Sequence, residues 1–240
     1  MSINTLFKKQ LGILFAVSAA LAIASAGAAE LDRSAARVTQ AQAGKPLTAA
    51  SNASPESVVA DYLRGHGRGA DVVASLRVAD RSTGANGVKH VQMDQEVDGL
   101  KVQGAYVKAA TNQRGELMQV IDRTVALSTP APSRINALQA LQSAIAKVHP
   151  DQTALVLRSA GKEGNTTRFD GGAFFYSRPT ATAVVLPLAD GRLARGWLVE
   201  TWTARTNQLH HTIVDGDGRV LNVESRTAKD SYDVFTEDPL

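Results

Sequence analysis

The chain has 240 residues, 26 Lys and Arg against 23 Asp and Glu, and no cysteine. Two of the lysines, Lys8 and Lys9, precede an N-terminal apolar run, so the remainder is nearly neutral. Without a clustered basic face it has little electrostatic hold on phosphates, which argues against a nucleic-acid partner. Lacking disulfides, the fold must rest on a hydrophobic core, and the length suffices for one large or two small domains.

Lys8 and Lys9, the apolar run from Leu11 to Ile23 and the small residues Ala26-Gly27-Ala28 follow the order of a cleavable export signal. The run is short for a membrane span of about 20 residues. We therefore expect a signal over 1–28, a mature chain from Ala29 or Glu30, no membrane association after cleavage, and release to the periplasm or the medium. Residues 29–53 are rich in Ala, Thr, Ser and Gln without a sustained period, which predicts a flexible leader.

A first unit is expected over 54–129. Ser54-Pro55 reads as an N-cap with proline at the first helical position, and Val58, Val59, Tyr62 and Leu63 share one face of the helix that Gly65 and Gly67 stop. Val73 to Arg81 alternates as a strand. In the next one, Val91, Met93, Gln95 and Val97 alternate with His90, Gln92, Asp94 and Glu96, the period of a strand with one buried face. Asp98-Gly99 supplies a tight hairpin turn, and the return strand runs through Val102, Gly104 and Tyr106. A further strand is expected from Glu116 to Leu127, with Leu117, Gln119, Ile121, Arg123 and Val125 on one side; Pro130 and Pro132 then end the sheet.

As spelled here, His90-Val91, Gln95, Gly99 and Val102-Gln103-Gly104 resemble the signature of the FTP domain, the fungalysin and thermolysin propeptide.

A second unit is expected over 130–227. Ser133 can cap a helix whose Ile135, Leu138, Leu141, Ile145 and Val148 form one apolar stripe, with Pro150 ending it. Strand-like runs follow at Ala154 to Ser159, Ala173 to Ser177, Ala181 to Leu188, Leu193 to Arg205, Leu209 to Val214 and Arg219 to Ser225, with Asp215-Gly216-Asp217-Gly218 as a hairpin turn. Trp197 and Trp202 fall on opposite faces of one strand. A helix on an antiparallel sheet is an α+β arrangement. Leu193 to Glu200, Thr212 to Asp215 and Gly218 to Leu221 are similar to a PepSY domain. Residues 228–240 contain Ser231-Tyr232-Asp233-Val234-Phe235, which resembles the junction to the enzyme in fungalysin-type precursors.

The chemistry of the parent enzymes requires His-Glu-x-x-His, two imidazoles one helical turn apart with a glutamate base, and this sequence has none. There is no Gly-x-Ser-x-Gly nucleophile elbow either. His210 and His211 are adjacent, but neighbours in a strand point to opposite faces and cannot easily share an ion. Counting from Asp215, a calcium loop would need Gly at the sixth position and Glu at the twelfth, where Val220 and Arg226 stand. His90 is either a docking residue or one satisfied within its own unit, and the second reading is favoured because Gly99 and Gly104 in the same motif answer backbone needs.

What the resemblance implies is therefore not an enzyme. It implies two small modules, each an antiparallel sheet with a helix, forming the prosegment of a secreted fungalysin-like zinc metallopeptidase that inhibits and helps to fold the catalytic domain. Zinc is expected only in that catalytic domain, which is the implied partner in cis or in trans, and Ser231 through Phe235 would lie near its cleft. A free-standing inhibitor or chaperone, and an exported binding module unrelated to proteolysis, are the alternatives.

Overall fold

The computed structural model describes residues 29–152 and 155–227. The expected signal and the junction Ser231 to Phe235 lie outside the described residues. The architecture is α+β and dominated by sheet.

In chain order the elements are β1 (Arg37–Gln40), α1 (Pro55–Gly65), α2 (Ala70–Ala74), β2 (Leu76–Thr83), β3 (Lys89–Val97), β4 (Leu100–Thr111) and β5 (Leu117–Asp122). There follow α3 (Ala137–Val148), β6 (Arg158–Glu163), β7 (Thr166–Asp170), β8 (Thr180–Pro187), β9 (Leu193–Trp202), β10 (Leu209–Val214) and β11 (Val220–Ser225). Strands run side by side in the order β1-β5-β4-β8-β9-β10-β11, with β2 and β3 branching from β4 and β6 and β7 from β8. Among these strands every pairing is antiparallel except that of β4 with β8, a single parallel contact of Val102 with Val185; outside them Ala131 makes an isolated parallel bridge to Ala194.

Helix α1 forms where the sequence indicates. Ser54 caps it by accepting from the Ser57 amide, Pro55 occupies its first turn, and Val58, Val59 and Leu63 are buried. They pack on Val91 and Met93 of β3, Val107 and Ala109 of β4, and Leu117 and Val120 of β5. A second cluster lies between α3 and the other half of the sheet, joining Ala140, Leu141, Ala144 and Ile145 to Ala181, Val199 and Val214. Each fully buried Val or Leu contributes about 1.5–3 kcal/mol, so these two faces hold the helices in place.

Several expected elements differ. The strand placed at Val73 begins only at Leu76, because Val72 and Val73 are buried in α2, one short turn packed beside α1. The strand expected to reach Leu127 stops at Asp122, whose carboxylate bends the chain by accepting from the amide and hydroxyl of Thr124. Its buried residues are Leu117, Val120 and Asp122, so Leu117 shares its side with Val120 and not with Gln119 and Ile121 as strict alternation expects. A register shift between Ala110 and Thr111 moves the pairing by one residue there, and alternation read from Leu117 onward inherits the wrong face.

The second helix starts one turn later than Ser133. Asn136 and Gln139 form a reciprocal capping box, while the Ser133 hydroxyl accepts from the Ile135 amide and from the Trp197 indole. Ala173 to Ser177 is a short 3-10 turn, Gly172–Phe174, that sends Phe175 into the α3 core. Of the strand expected from Ala154 to Ser159, Ala154 lies outside the described residues and only Arg158 and Ser159 are extended in a ladder, opening β6, which forms a hairpin with β7.

Residues 29–53, expected as a flexible leader, are built into the fold. β1 pairs with β5 from Arg37 opposite Asp122 to Gln40 opposite Gln119, Leu31 bridges Leu188, and Leu47 packs beneath α1. Leu31 covers the sheet face opposite α3, against Val184, Leu186, Leu188 and Ile213. A stretch with few apolar residues is ordered here because it caps a surface that other elements have already formed.

Candidate functional site: the signature hairpin and its seam

The hairpin of β3 and β4 has the turn its sequence requires, Asp98 at φ 52° and Gly99 at φ 72°, both in the left-handed region of a primed two-residue turn. Val97 pairs with Leu100 and Glu96 with Lys101, but the next pair inward is Asp94 with Tyr106. Between them Val102 to Ala105 leave the hairpin ladder. Gly104, at φ 73°, makes that departure possible, and an added Cβ would stand 2.9 Å from Nη1 of Arg123.

Opposite the bulge, Gln95 is fully buried. Its carboxamide donates from Nε2 to the Val125 carbonyl and accepts from the Val125 amide, both at 2.9 Å. A side chain thus supplies the two hydrogen bonds that a neighbouring strand would have given, and the segment beyond β5 is held where the ladder is interrupted.

The displaced residues of β4 face the second half of the sheet. Leu100, Val102 and Ala105 pack with Val185 and Leu193, flanked by Val97, Val125 and Ala183. At the hairpin tip Asp98 accepts from Arg195 at 2.9 Å, and Asn165, in the β6–β7 turn, donates to the Gly99 carbonyl at 2.8 Å. Arg123 reaches back to the carbonyls of Ser34 and Asp32. Hydrogen bonds from Ser34, with the charge of Arg123, hold the Asp32 carboxyl below its usual value. Arg68, from the link between α1 and α2, binds Asp122 at 2.6 Å. A pocket of about 310 Å³ opens between these groups, lined by Arg37, Arg68, Arg123 and Arg192 together with Asp32 and Asp122.

The six motif residues therefore do different jobs. Val91 lies in the α1 core, Gln95 and Gly104 make the interrupted ladder, Gly99 makes the turn, and Val102 sits at the seam. His90 is exposed at the start of β3, opposite Ser82 and Ala110, so the motif's other members are structural while this one faces solvent. The partners Val125, Arg123, Arg195 and Asn165 were not indicated by the sequence, since each is distant along the chain and carries no pattern of its own.

Elsewhere the polar candidates fall where strand geometry puts them. His211 meets Glu200 at 2.9 Å while His210 turns to the opposite face, towards His149 at the end of α3. Asp215 is buried and its carboxylate is filled by the amides of Asp217 and Arg219 and the Arg219 guanidinium, as a turn requires. Trp197 packs against the α3 core, and Trp202 lies against Tyr176 on the other side, the rings 4.5 Å apart and tilted by 44°. Among the described residues no three His, Cys, Asp or Glu gather as a metal site, and no helix is long and apolar enough to cross a membrane.

Of the signature residues, Gly99 and Val102 meet the other half of the sheet, through Asn165 and Val185 respectively. Residues 74–123, from the end of α2 through β5 to Arg123, match the family model of the Fungalysin/Thermolysin Propeptide Motif. The chain is also 27% identical over 167 residues to extracellular metalloproteinase 3 of Arthroderma gypseum, covering 66% of this chain and 26% of that protein. It is 29% identical over 160 residues to extracellular metalloproteinase mep of Aspergillus terreus, covering 59% of this chain and 25% of that one. The chain thus spans about a quarter of the length of the curated relatives it matches. Among solved structures, the Bacillus megaterium YpeB C-terminal domain aligns at 13% identity and a TM-score of 0.31, over 77% of this chain and 70% of that one.

Proposed function

We propose that this chain acts as the prosegment of a secreted fungalysin-like zinc metalloendopeptidase, inhibiting the catalytic domain and assisting its folding. Its two modules would be an FTP unit over 54–129 and a PepSY-like unit over 130–227. The observation that carries the reading is the coincidence of the matched propeptide motif with the hairpin that Gln95, Gly99 and Gly104 shape and whose Val102 meets the other half of the sheet. That the relatives bear the name extracellular metalloproteinase supports the same reading and an exported location.

The physics of such a role is binding energy. Tethering a prosegment to its enzyme gives an effective concentration on the order of mM, so a modest intrinsic affinity is enough, and cutting the tether removes the advantage. A docking surface already formed before contact loses little conformational freedom on binding, which leaves more of the contact energy for affinity. The junction Ser231 through Phe235 is the segment assigned to the catalytic cleft, and the catalytic zinc would be held by the enzyme.

The test is refolding. A denatured fungalysin-type catalytic domain should recover more activity when renatured with this chain, followed by its proteolytic removal, than when renatured alone. Equal recovery in both arms would remove the chaperone role. Retained recovery with a chain deleted for Ser231 to Phe235, but with weaker inhibition, separates the scaffold from the cleft segment.

A further inference from the structure

Among the described residues, five buried side-chain polar atoms lack a hydrogen-bond partner, and four of them occupy one region: His149 Nε2, His210 Nδ1, Thr201 Oγ1 and Thr212 Oγ1. Thr201 of β9 and His210 of β10 are cross-strand partners, and Thr212 lies two residues beyond His210 on the same side of the strand. That side faces α3, and His149 is the C-cap of this helix. The two imidazole centroids are 5.5 Å apart with the rings crossed at 74°. Phe174 stands edge-on to His149 at 5.3 Å and Phe175 at 6.5 Å, closing the apolar side.

Buried polar atoms are nearly always paired, and a group of them left without partners in one place points to a ligand that supplies the missing contacts. We propose that His149 and His210 form a binding site for a divalent transition-metal ion that prefers imidazole nitrogen, zinc being the representative case. The inference stands apart from the peptidase reading, and it departs from the expectation that metal belongs only to a partner domain.

The chemistry fits such an ion. Each ring offers a buried nitrogen with no donor opposite it, and a metal ion ligates the neutral imidazole. Burial pushes both histidines below their ordinary pKa, His149 further through the charge of His210, so the ligating form dominates at neutral pH. No third His, Cys, Asp or Glu joins them among the described residues, so water completes the coordination. The Thr201 and Thr212 hydroxyls, on the same strand face, are the groups available to hold that water. With two protein ligands the ion is exchangeable and the fold does not depend on it. His211 takes no part, because it points to the other face and binds Glu200.

The probe is Zn²⁺ alone, titrated into the full chain purified without a histidine tag, with calorimetry and long-range ¹H–¹⁵N spectra of the imidazole nitrogens as readouts. The expected result is one equivalent bound, with the His149 and His210 nitrogens shifting together. His149→Phe and His210→Phe, which keep ring shape, should each weaken binding by about tenfold or more, and His211→Asn should leave it unchanged. Unmoved His149 and His210 nitrogens in excess zinc, or binding that follows His66, His90 or His211 instead, would overturn the site. If a phenylalanine variant fails to fold, the imidazole spectra of the unaltered chain decide.

Discussion

The carboxamide of Gln95 and the backbone of Val125 exchange two hydrogen bonds of 2.9 Å, a side chain standing in for a missing strand at the place where β3 and β4 separate. The same separation lets Val102 of β4 reach Val185 of β8. The bulge, the clamp and the seam are one construction, and their consequences can be measured together.

Replacing Gln95 with Leu nearly keeps its volume and removes both bonds, leaving the half-buried amide and carbonyl of Val125 without that partner. The expected loss is about 1–3 kcal/mol, the sum of two ordinary hydrogen bonds at a half-buried site. Gln95→Glu keeps an acceptor for the amide but turns a carboxylate towards the Val125 carbonyl, and should be at least as damaging at neutral pH. Urea midpoints of the two variants check this.

Gly99 and Gly104 have nearly the same positive φ but different surroundings. Alanine at Gly99 meets nothing within 4 Å and should cost about 1 kcal/mol from backbone strain alone. Alanine at Gly104 adds a 2.9 Å approach to Arg123, so it should cost more and also release the stretch around Asp32 and Ser34 that Arg123 holds. Limited proteolysis near Ser34 should rise in the Gly104 variant and not in the Gly99 variant.

Two kinds of contact cross the seam, and they should differ in weight. The Asp98–Arg195 pair is about half exposed on both sides, and a double-mutant cycle should return about 1 kcal/mol or less. Leu193 is almost fully buried between the halves, and Leu193→Ala should lose about 2–5 kcal/mol. A coupling across Asp98–Arg195 larger than the loss at Leu193 would mean that the tip, and not the apolar cluster, carries the joint.

Acid should weaken the α3 half of the fold. Burial holds His149 and His210 below the ordinary value of 6.5, whereas in the unfolded chain they titrate near it. Above that value both states are neutral and the groups add nothing to the pH dependence. As the pH falls below about 6.5 the unfolded chain takes up protons that the fold refuses, so stability drops until the pH has passed the depressed folded values. Denaturation midpoints measured with a chelator present should decline over that range, and His149→Phe or His210→Phe should flatten the slope.

The sequence was most legible where local chemistry and burial agree. Ser54-Pro55 and the Val58, Val59, Leu63 face gave α1, and the alternation from Val91 to Val97 with Asp98-Gly99 gave the hairpin and its buried side. It was least legible where a residue's environment comes from elsewhere in the chain. The register shift that skips Met118 moves the buried face of β5, and nothing in the local sequence announces it. Residues 29–53 look featureless because what orders Leu31 and Arg37 is the prior existence of Leu188 and of β5. Gln95 could be read as buried by period, but that it binds Val125, thirty residues on, could not. The pairing of His149 with His210 depends likewise on how α3 ends over β10, and the adjacent His210-His211 drew attention to the wrong neighbour.

The central claim is that this scaffold binds and silences a zinc peptidase domain. Its most direct test is the rate of peptide hydrolysis by a fungalysin-type catalytic domain titrated with the purified chain. The account predicts loss of activity at stoichiometric amounts, restored when the chain is digested. Undiminished hydrolysis across a panel of such enzymes at molar excess of the folded chain would contradict it.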